Sequence, residues 1–349
     1  MILQYKCPGC GADMVFDAES GTLSCESCGH SMAVEEYPVA DFEDFEEMTQ
    51  TTTFGDEEAI QYQCNNCGAI LITDADTTAT SCSFCGAPMI LADRLSGQLA
   101  PAKVIPFKIS KEQAQEAFRK WYRGGLLTPK GFMTAERVKS ITGMYVPFWL
   151  YDLNGRGEAD ADCTRVRTYS DSQYIYTETR HYHVYRKVDL DFLKVPADAS
   201  MKMNDDLMDR LEPFDYSDLK DFNTPYLAGY IAEKYNYTDK DLFDRVKKRA
   251  ERYVDDYIQS TIHGYSTTMF RRKWTDVKQR NAVYTLLPIW MICYDYKQSE
   301  HIFAMNGQTG KVVGKPPISK GKVFAWFTGI TAAVFTVLEL ITVIGGGLL

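Results

Sequence analysis

The chain has 349 residues, 45 % of them hydrophobic and 24 % charged, with a formal net charge of −9 at pH 7; it is too long for one small module and too apolar for a disordered chain. Residues 1–100 hold two basic side chains, Lys6 and Arg94, against 17 acidic ones, a net of −15, which leaves 36 minus 30, or +6, for residues 101–349. A first third of that sign argues against a phosphate-binding role there, because holding a nucleic-acid backbone takes Lys and Arg.

Eight of the ten cysteines fall in two blocks of one spacing, CxxC, fourteen residues, CxxC. They are Cys7, Cys10, Cys25 and Cys28, then Cys64, Cys67, Cys82 and Cys85, each displaced by 57 residues. A duplicated ruler of this kind points to metal ligands in a reducing compartment. Four thiolates fill the tetrahedral shell of Zn²⁺ and leave no position for water or substrate, so the expected cofactor is two structural Zn²⁺ ions that perform no chemistry. Each block is expected to be a zinc ribbon, with knuckle turns at Gly11, Gly29, Gly68 and Gly86, a hairpin from the fourteen intervening residues, and melting independent of the rest. His30 is an alternative ligand that four cysteines make superfluous. The expected boundaries are residues 1–34 for the first ribbon, 35–60 for an acidic linker and 61–97 for the second ribbon. The stretch EEYPVADFEDFEEMTQTTTFGDEE holds ten carboxylates with Tyr37, Phe42, Phe45 and Phe54 interspersed. It suits a solvated linker, or a segment that docks on a basic partner.

Residues 98–222 and 223–320 look like two halves of a duplicated α/antiparallel-β body. YVPFWLYD at Tyr145–Asp152 recurs as LLPIWMICYD at Leu286–Asp295, with Pro147 and Trp149 matched to Pro288 and Trp290 at an offset of 141. Bulky β-type runs with one proline suit edge or bulged strands. Ser110 with Gln113 caps a helix closed by Gly124, and Thr224-Pro225 opens a helix over PYLAGYIAEKY. Thr238 with Asp241 opens a longer helix reaching Ile262 and closed by Gly264, whose apolar stripe is Leu242, Val246, Ala250, Tyr253, Tyr257 and Ile258. A β-meander is expected after Asn154-Gly155, and turns at Asn306-Gly307 and Thr309-Gly310.

No catalytic set is visible: no phosphate loop, no G-x-S-x-G and no HExxH, so the chain is not expected to be an enzyme. His181 and His183 share a strand face with no carboxylate motif nearby and suit ordinary strand surface. Cys163 and Cys293 suit buried apolar positions.

Val323 to Ile344 is a run of 22 residues with one ionisable side chain, Glu339. At about 1.5 Å per residue it crosses a hydrocarbon core of about 30 Å, so residues 323–345 are expected to span a membrane. Lys311, Lys315, Lys320 and Lys322 precede it and no charge follows, which keeps the N-terminal side in the cytoplasm. A carboxyl in the bilayer, with the small-residue pair Gly329 and Ala333, favours a homo-oligomer or a membrane partner.

Together the two ribbons, PFWLYD, the stretch from YTETRHYHVYRKVDL to EPFDYSDL, FAMNGQTGKVVG and the terminal helix resemble the TFIIB-type zinc-ribbon membrane proteins of Gram-positive bacteria. Members of that family are similar to the component encoded beside PspA-type and SPFH-domain (flotillin-like, virion-core-like) proteins. The resemblance implies an α+β adaptor that recruits a soluble SPFH-domain partner, with another small membrane protein as a further partner, to the cell membrane in an envelope stress response. A competing expectation, a replication-related nucleic-acid-binding protein, draws on the ribbons alone and is opposed by their charge.

Overall fold

The computed structural model describes residues 2–37, 59–64, 66–68, 70–74, 76–82, 87–91, 101–123, 127–129, 138–296, 299–316 and 318–345. Residues 38–58 of the acidic linker, Cys85, Gly86 and Gly124 lie outside them. The strands are β1 (Ile2–Leu3), β2 (Met14–Asp17), β3 (Thr22–Cys25), β4 (Ser31–Met32), β5 (Ala59–Gln63), β6 (Ile70–Asp74), β7 (Thr77–Ser81), β8 (Pro88–Leu91), β9 (Lys103–Val104), β10 (Val138–Ser170), β11 (Ile175–Asp198), β12 (Lys220–Asp221), β13 (Ile231–Glu233), β14 (Thr267–Tyr296), β15 (Ser299–Asn306) and β16 (Val312–Gly314). The helices are α1 (Lys111–Arg123), α2 (Asp205–Asp209), α3 (Asp239–Ser260) and α4 (Lys320–Gly345). This is a mixed α+β architecture built on one large sheet.

That sheet has eleven strands, with β10 and β14 paired antiparallel at its centre from Val138↔Tyr294 to Thr164↔Thr267. The two proline-bearing segments therefore pair with each other, Pro147 opposite Leu286 and Pro288 opposite Tyr145. Neither lies on an edge strand; of the two expected settings it is the bulged one that is found, the β10–β14 register shifting between Asp152 and Leu153 and again between Asp160 and Ala161. On its other side β10 pairs with β13 at Met144–Tyr145 and then with β11 from Phe148 onward. Pro147 falls in the gap between the two, so its missing N–H breaks no ladder bond.

The two halves of the body repeat one order of elements. β9 begins at Lys103 and α1 at Lys111, eight residues later; β13 begins at Ile231 and α3 at Asp239, again eight. Each short strand pairs in parallel with the other half's long strand, β9 with β14 at Thr285–Leu286 and β13 with β10 at Met144–Tyr145.

The Ser110–Gln113 capping box forms, each backbone N–H bonded to the other's side chain at 3.1 and 3.3 Å. So does the Thr238–Asp241 box at the start of α3. α3 ends at Ser260, and its buried ridge is Leu242, Val246, Ala250, Val254 and Ile258. Tyr253 and Tyr257 are exposed, because a strict i, i+4 row faces the sheet and the tyrosines lie beside it. Asn154-Gly155 makes no turn: it sits inside β10, where a Cβ on Gly155 would lie 2.7 Å from Val254 and 2.8 Å from Phe192. Gly155 thus lets α3 approach the sheet closely.

The helix expected after Thr224-Pro225 is also overturned. Thr224–Leu227 makes a single 3-10 turn, and Ile231–Glu233 is a strand whose Ala232 is buried between Ala79 of β7 and Tyr145 of β10. Tertiary pairing outweighs the local helix signal there.

α4 is of another kind. Its stretch Lys320–Glu339 has a mean hydropathy of 1.5, long and apolar enough to cross a membrane, and none of it is buried against the body. The hydroxyls of Thr328, Thr331 and Thr336 donate to carbonyls one turn back at 2.8–2.9 Å, so these polar groups need no water.

Candidate metal centres

In the first block β2 and β3 form the expected hairpin, Met14↔Cys25 to Asp17↔Thr22, and its two ends bring the knuckles together. The Cys7 carbonyl accepts from the Gly11 N–H at 2.8 Å and the Cys25 carbonyl from the Gly29 N–H at 2.9 Å. Gly11 and Gly29 take φ of +76° and +74°, a left-handed turn that suits glycine. Cys64 and Gly68 repeat the bond at 2.8 Å and the φ at +73° in the second block.

The hairpins differ, however. In the second block β6 pairs with β5, whereas β7 pairs with β8 and β13 and so joins the main sheet. Thr78 and Ala79 are fully buried there. The first block also packs into the body: Tyr5, Met14, Phe16 and Leu23 share one apolar cluster with Tyr145, Tyr226, Tyr230 and Trp290. The cysteine blocks are thus continuous with the body's packing, which tells against independent melting.

The sulfurs converge. Cys7, Cys10, Cys25 and Cys28 form one cluster and Cys64, Cys67 and Cys82 another, with all ligand atoms in each within 4.8 Å of one another. Cys85, the eighth expected ligand, lies outside the described residues. Sγ–Sγ separations are 3.6 Å for Cys7–Cys28, 3.5 Å for Cys10–Cys25 and 3.7 Å for Cys67–Cys82. A disulfide needs about 2.05 Å. The edge of a tetrahedron of thiolates around Zn²⁺ is about 3.8 Å, given metal–sulfur bonds of about 2.3 Å. The donor set fits a metal ion and does not fit disulfides. His30 takes part through its backbone: its carbonyl accepts the Cys25 N–H at 2.8 Å and its N–H faces the Cys28 sulfur.

No protein-family model matches this sequence, and no solved structure does. A Bacillus subtilis (strain 168) protein, the uncharacterized protein YdjG, is 58 % identical over 347 residues, covering 99 % of both chains. The chain belongs to the YdjG family. The match to YdjG runs through the body and α4 as well as the cysteine blocks, so the family likeness extends over the whole assembly.

Without a cation the first cluster in this YdjG-family chain is electrostatically divided. The Cys28 N–H and other donors draw the Cys25 thiol down to about 7. For Cys28 the His30 N–H favours the thiolate, but the sulfurs of Cys10, Cys7 and Cys25 outweigh it and push the thiol up to about 12. Thiols sharing one site cannot all ionise, and a divalent cation removes that conflict.

Elsewhere, cross-strand pairing supplies what sequence spacing hid. His183 lies 2.9 Å from Asp160 and 3.4 Å from Asp162, carboxylates of the neighbouring strand β10. These carboxylates are about 20 residues upstream, so only the β10–β11 register reveals them. The three form no metal-holding group among the described residues. Cys163 is fully buried, as an apolar position would be; Cys293 lies in β14.

Proposed function

We propose that this chain is a tail-anchored, non-enzymatic adaptor that holds a soluble SPFH-domain partner at the cytoplasmic face of the cell membrane in an envelope stress response. The observation that carries it is α4, an apolar helix with no burial, attached to a body that has its own core. A helix hydrophobic all round belongs in lipid or inside a large protein, and none of the described residues of the body covers this one. Lys315, Lys320 and Lys322 before the span favour a cytoplasmic body. Two Zn²⁺ ions, each on four thiolates, would close the N-terminal blocks structurally and leave no open coordination position for catalysis.

The SPFH partner comes from the resemblance to the TFIIB-type zinc-ribbon membrane proteins. Tethering raises the local concentration of a soluble partner at the bilayer and needs no new contact chemistry. Imaging a fluorescent SPFH partner in cells whose chain lacks residues 323–349 tests the proposal. Both proteins should become cytosolic while still co-purifying; a partner that stays at the membrane is not anchored by this chain.

A further inference from the structure

Two stretches of the sequence contain no carboxylate: residues 117–135, with Arg119, Lys120, Arg123 and Lys130, and residues 301–338, with Lys311, Lys315, Lys320 and Lys322. In a chain of net charge −9, eight cations without one acid is a marked local reversal. The fold brings the described parts of these stretches, 117–123, 127–129, 301–316 and 318–338, to one end of the body. Phe118 and Trp121 of α1 pack on Phe303 of β15, ring centroids 5.2 and 5.7 Å apart, and Gly314 of β16 pairs with Phe303. The Ser319 N–H donates to the Leu127 carbonyl at 2.8 Å, tying the residue before α4 to the segment that follows α1.

Three apolar side chains face solvent at this end: Ile302, 50 % exposed, Ile318, 65 %, and Leu127, 37 %. Lys311 is engaged elsewhere, its Nζ donating to the Glu212 carbonyl. Arg119, Lys120, Lys315 and Lys320 are exposed.

We propose that this end is a contact plate for an anionic phospholipid surface, its cations at the headgroup phosphates and Ile302, Ile318 and Leu127 in the interfacial layer. The proposal rests on α4 being the membrane anchor, since α4 leaves the body from this plate and fixes it at headgroup depth. Charge alone would equally suit a nucleic acid, but a nucleic acid offers nothing to the apolar side chains set among the cations. Each cation held near an anionic leaflet is worth roughly a five-fold preference. Several together would orient the body on the bilayer instead of leaving it to swing from α4.

The test uses the full chain in vesicles of phosphatidylcholine, with and without phosphatidylglycerol, and brominated phosphatidylcholine as a fluorescence quencher. Ile302→Trp and Ile318→Trp are each made with Trp326→Phe; the loss of quenching between wild type and Trp326→Phe alone reports the anchor. The expected result is quenching at position 302 that rises several-fold with phosphatidylglycerol and falls again in Arg119→Gln/Lys120→Gln/Lys315→Gln, while the Trp326 signal stays constant. Quenching of Trp326 without quenching at 302, or equal quenching at 302 in both lipids, overturns the plate and leaves the anchor standing. An unquenched Trp326 overturns the anchor, and the plate with it.

Discussion

Pro147 and Pro288 occupy the same place in the two halves of the body, each at the step where its strand changes neighbours. The Pro147 carbonyl accepts from the Ala199 N–H at 2.9 Å and the Pro288 carbonyl from the Gly307 N–H at 2.8 Å. Ala199 directly follows β11 and Gly307 directly follows β15, so the two bonds are counterparts. On the same outer side, β10 passes from β13 to β11 and β14 passes from β9 to β15. A proline is tolerated at a strand position whose N–H has no acceptor, and these gaps provide one twice.

Metal content follows from the sulfur geometry. The purified, metal-replete chain should contain two zinc ions, and elemental analysis returning fewer than about 1.5 per chain would contradict two Zn(Cys)₄ sites. Because the first block shares its core with the body, Cys25→Ser should lower the unfolding midpoint of the whole protein. A change confined to the block would show the two to be energetically separate.

Topology is checked by protection. With the body cytoplasmic, protease added outside intact cells should leave residues 1–320 uncut, and permeabilised cells should lose them. Cleavage from outside would reverse the orientation.

Packing at Gly155 makes a sharper demand. A methyl group there meets Val254 and Phe192 at under 3 Å, so Gly155→Ala should destabilise by roughly 1–3 kcal/mol through overpacking. Val254→Ala in the same chain should recover part of that loss, since both changes act on one contact. Chemical denaturation of the two single variants and the double measures the coupling; simple additivity would place the strain elsewhere.

Asp198 gives the stability a pH dependence. Burial pushes its carboxyl up from 3.8 to about 7, although the Ser200 N–H pulls the other way. Its other oxygen is buried without a hydrogen-bond partner among the described residues. The folded state therefore holds a proton that the unfolded state releases between pH 4 and 7, so this contribution falls as pH rises through that window. Above it the ionised folded form is penalised by up to about 4 kcal/mol. Asp198→Asn should be more stable than the parent at pH 8 and show little advantage at pH 4. Denaturation midpoints that move together at both pH values would refute the assignment.

The sequence by itself determined what rests on near neighbours. The cysteine spacing, the capping boxes at Ser110 and Thr238, and the apolar run of α4 all depend on residues within one turn, one knuckle or one continuous helix, and each was legible. It also showed Pro147 and Pro288 as a matched pair. Tertiary structure alone decided which strands lie beside one another, because a backbone N–H pairs equally well with any carbonyl that packing presents. That is why Ile231–Glu233 became a strand between β7 and β10 despite a helix signal, and why β7 left its hairpin for the main sheet. Pairing likewise put Asp160 and Asp162 beside His183, and close approach of α3 explains Gly155 inside β10. Proximity across the sheet is set by burying the largest continuous apolar surface, a property of the whole chain that no local window contains.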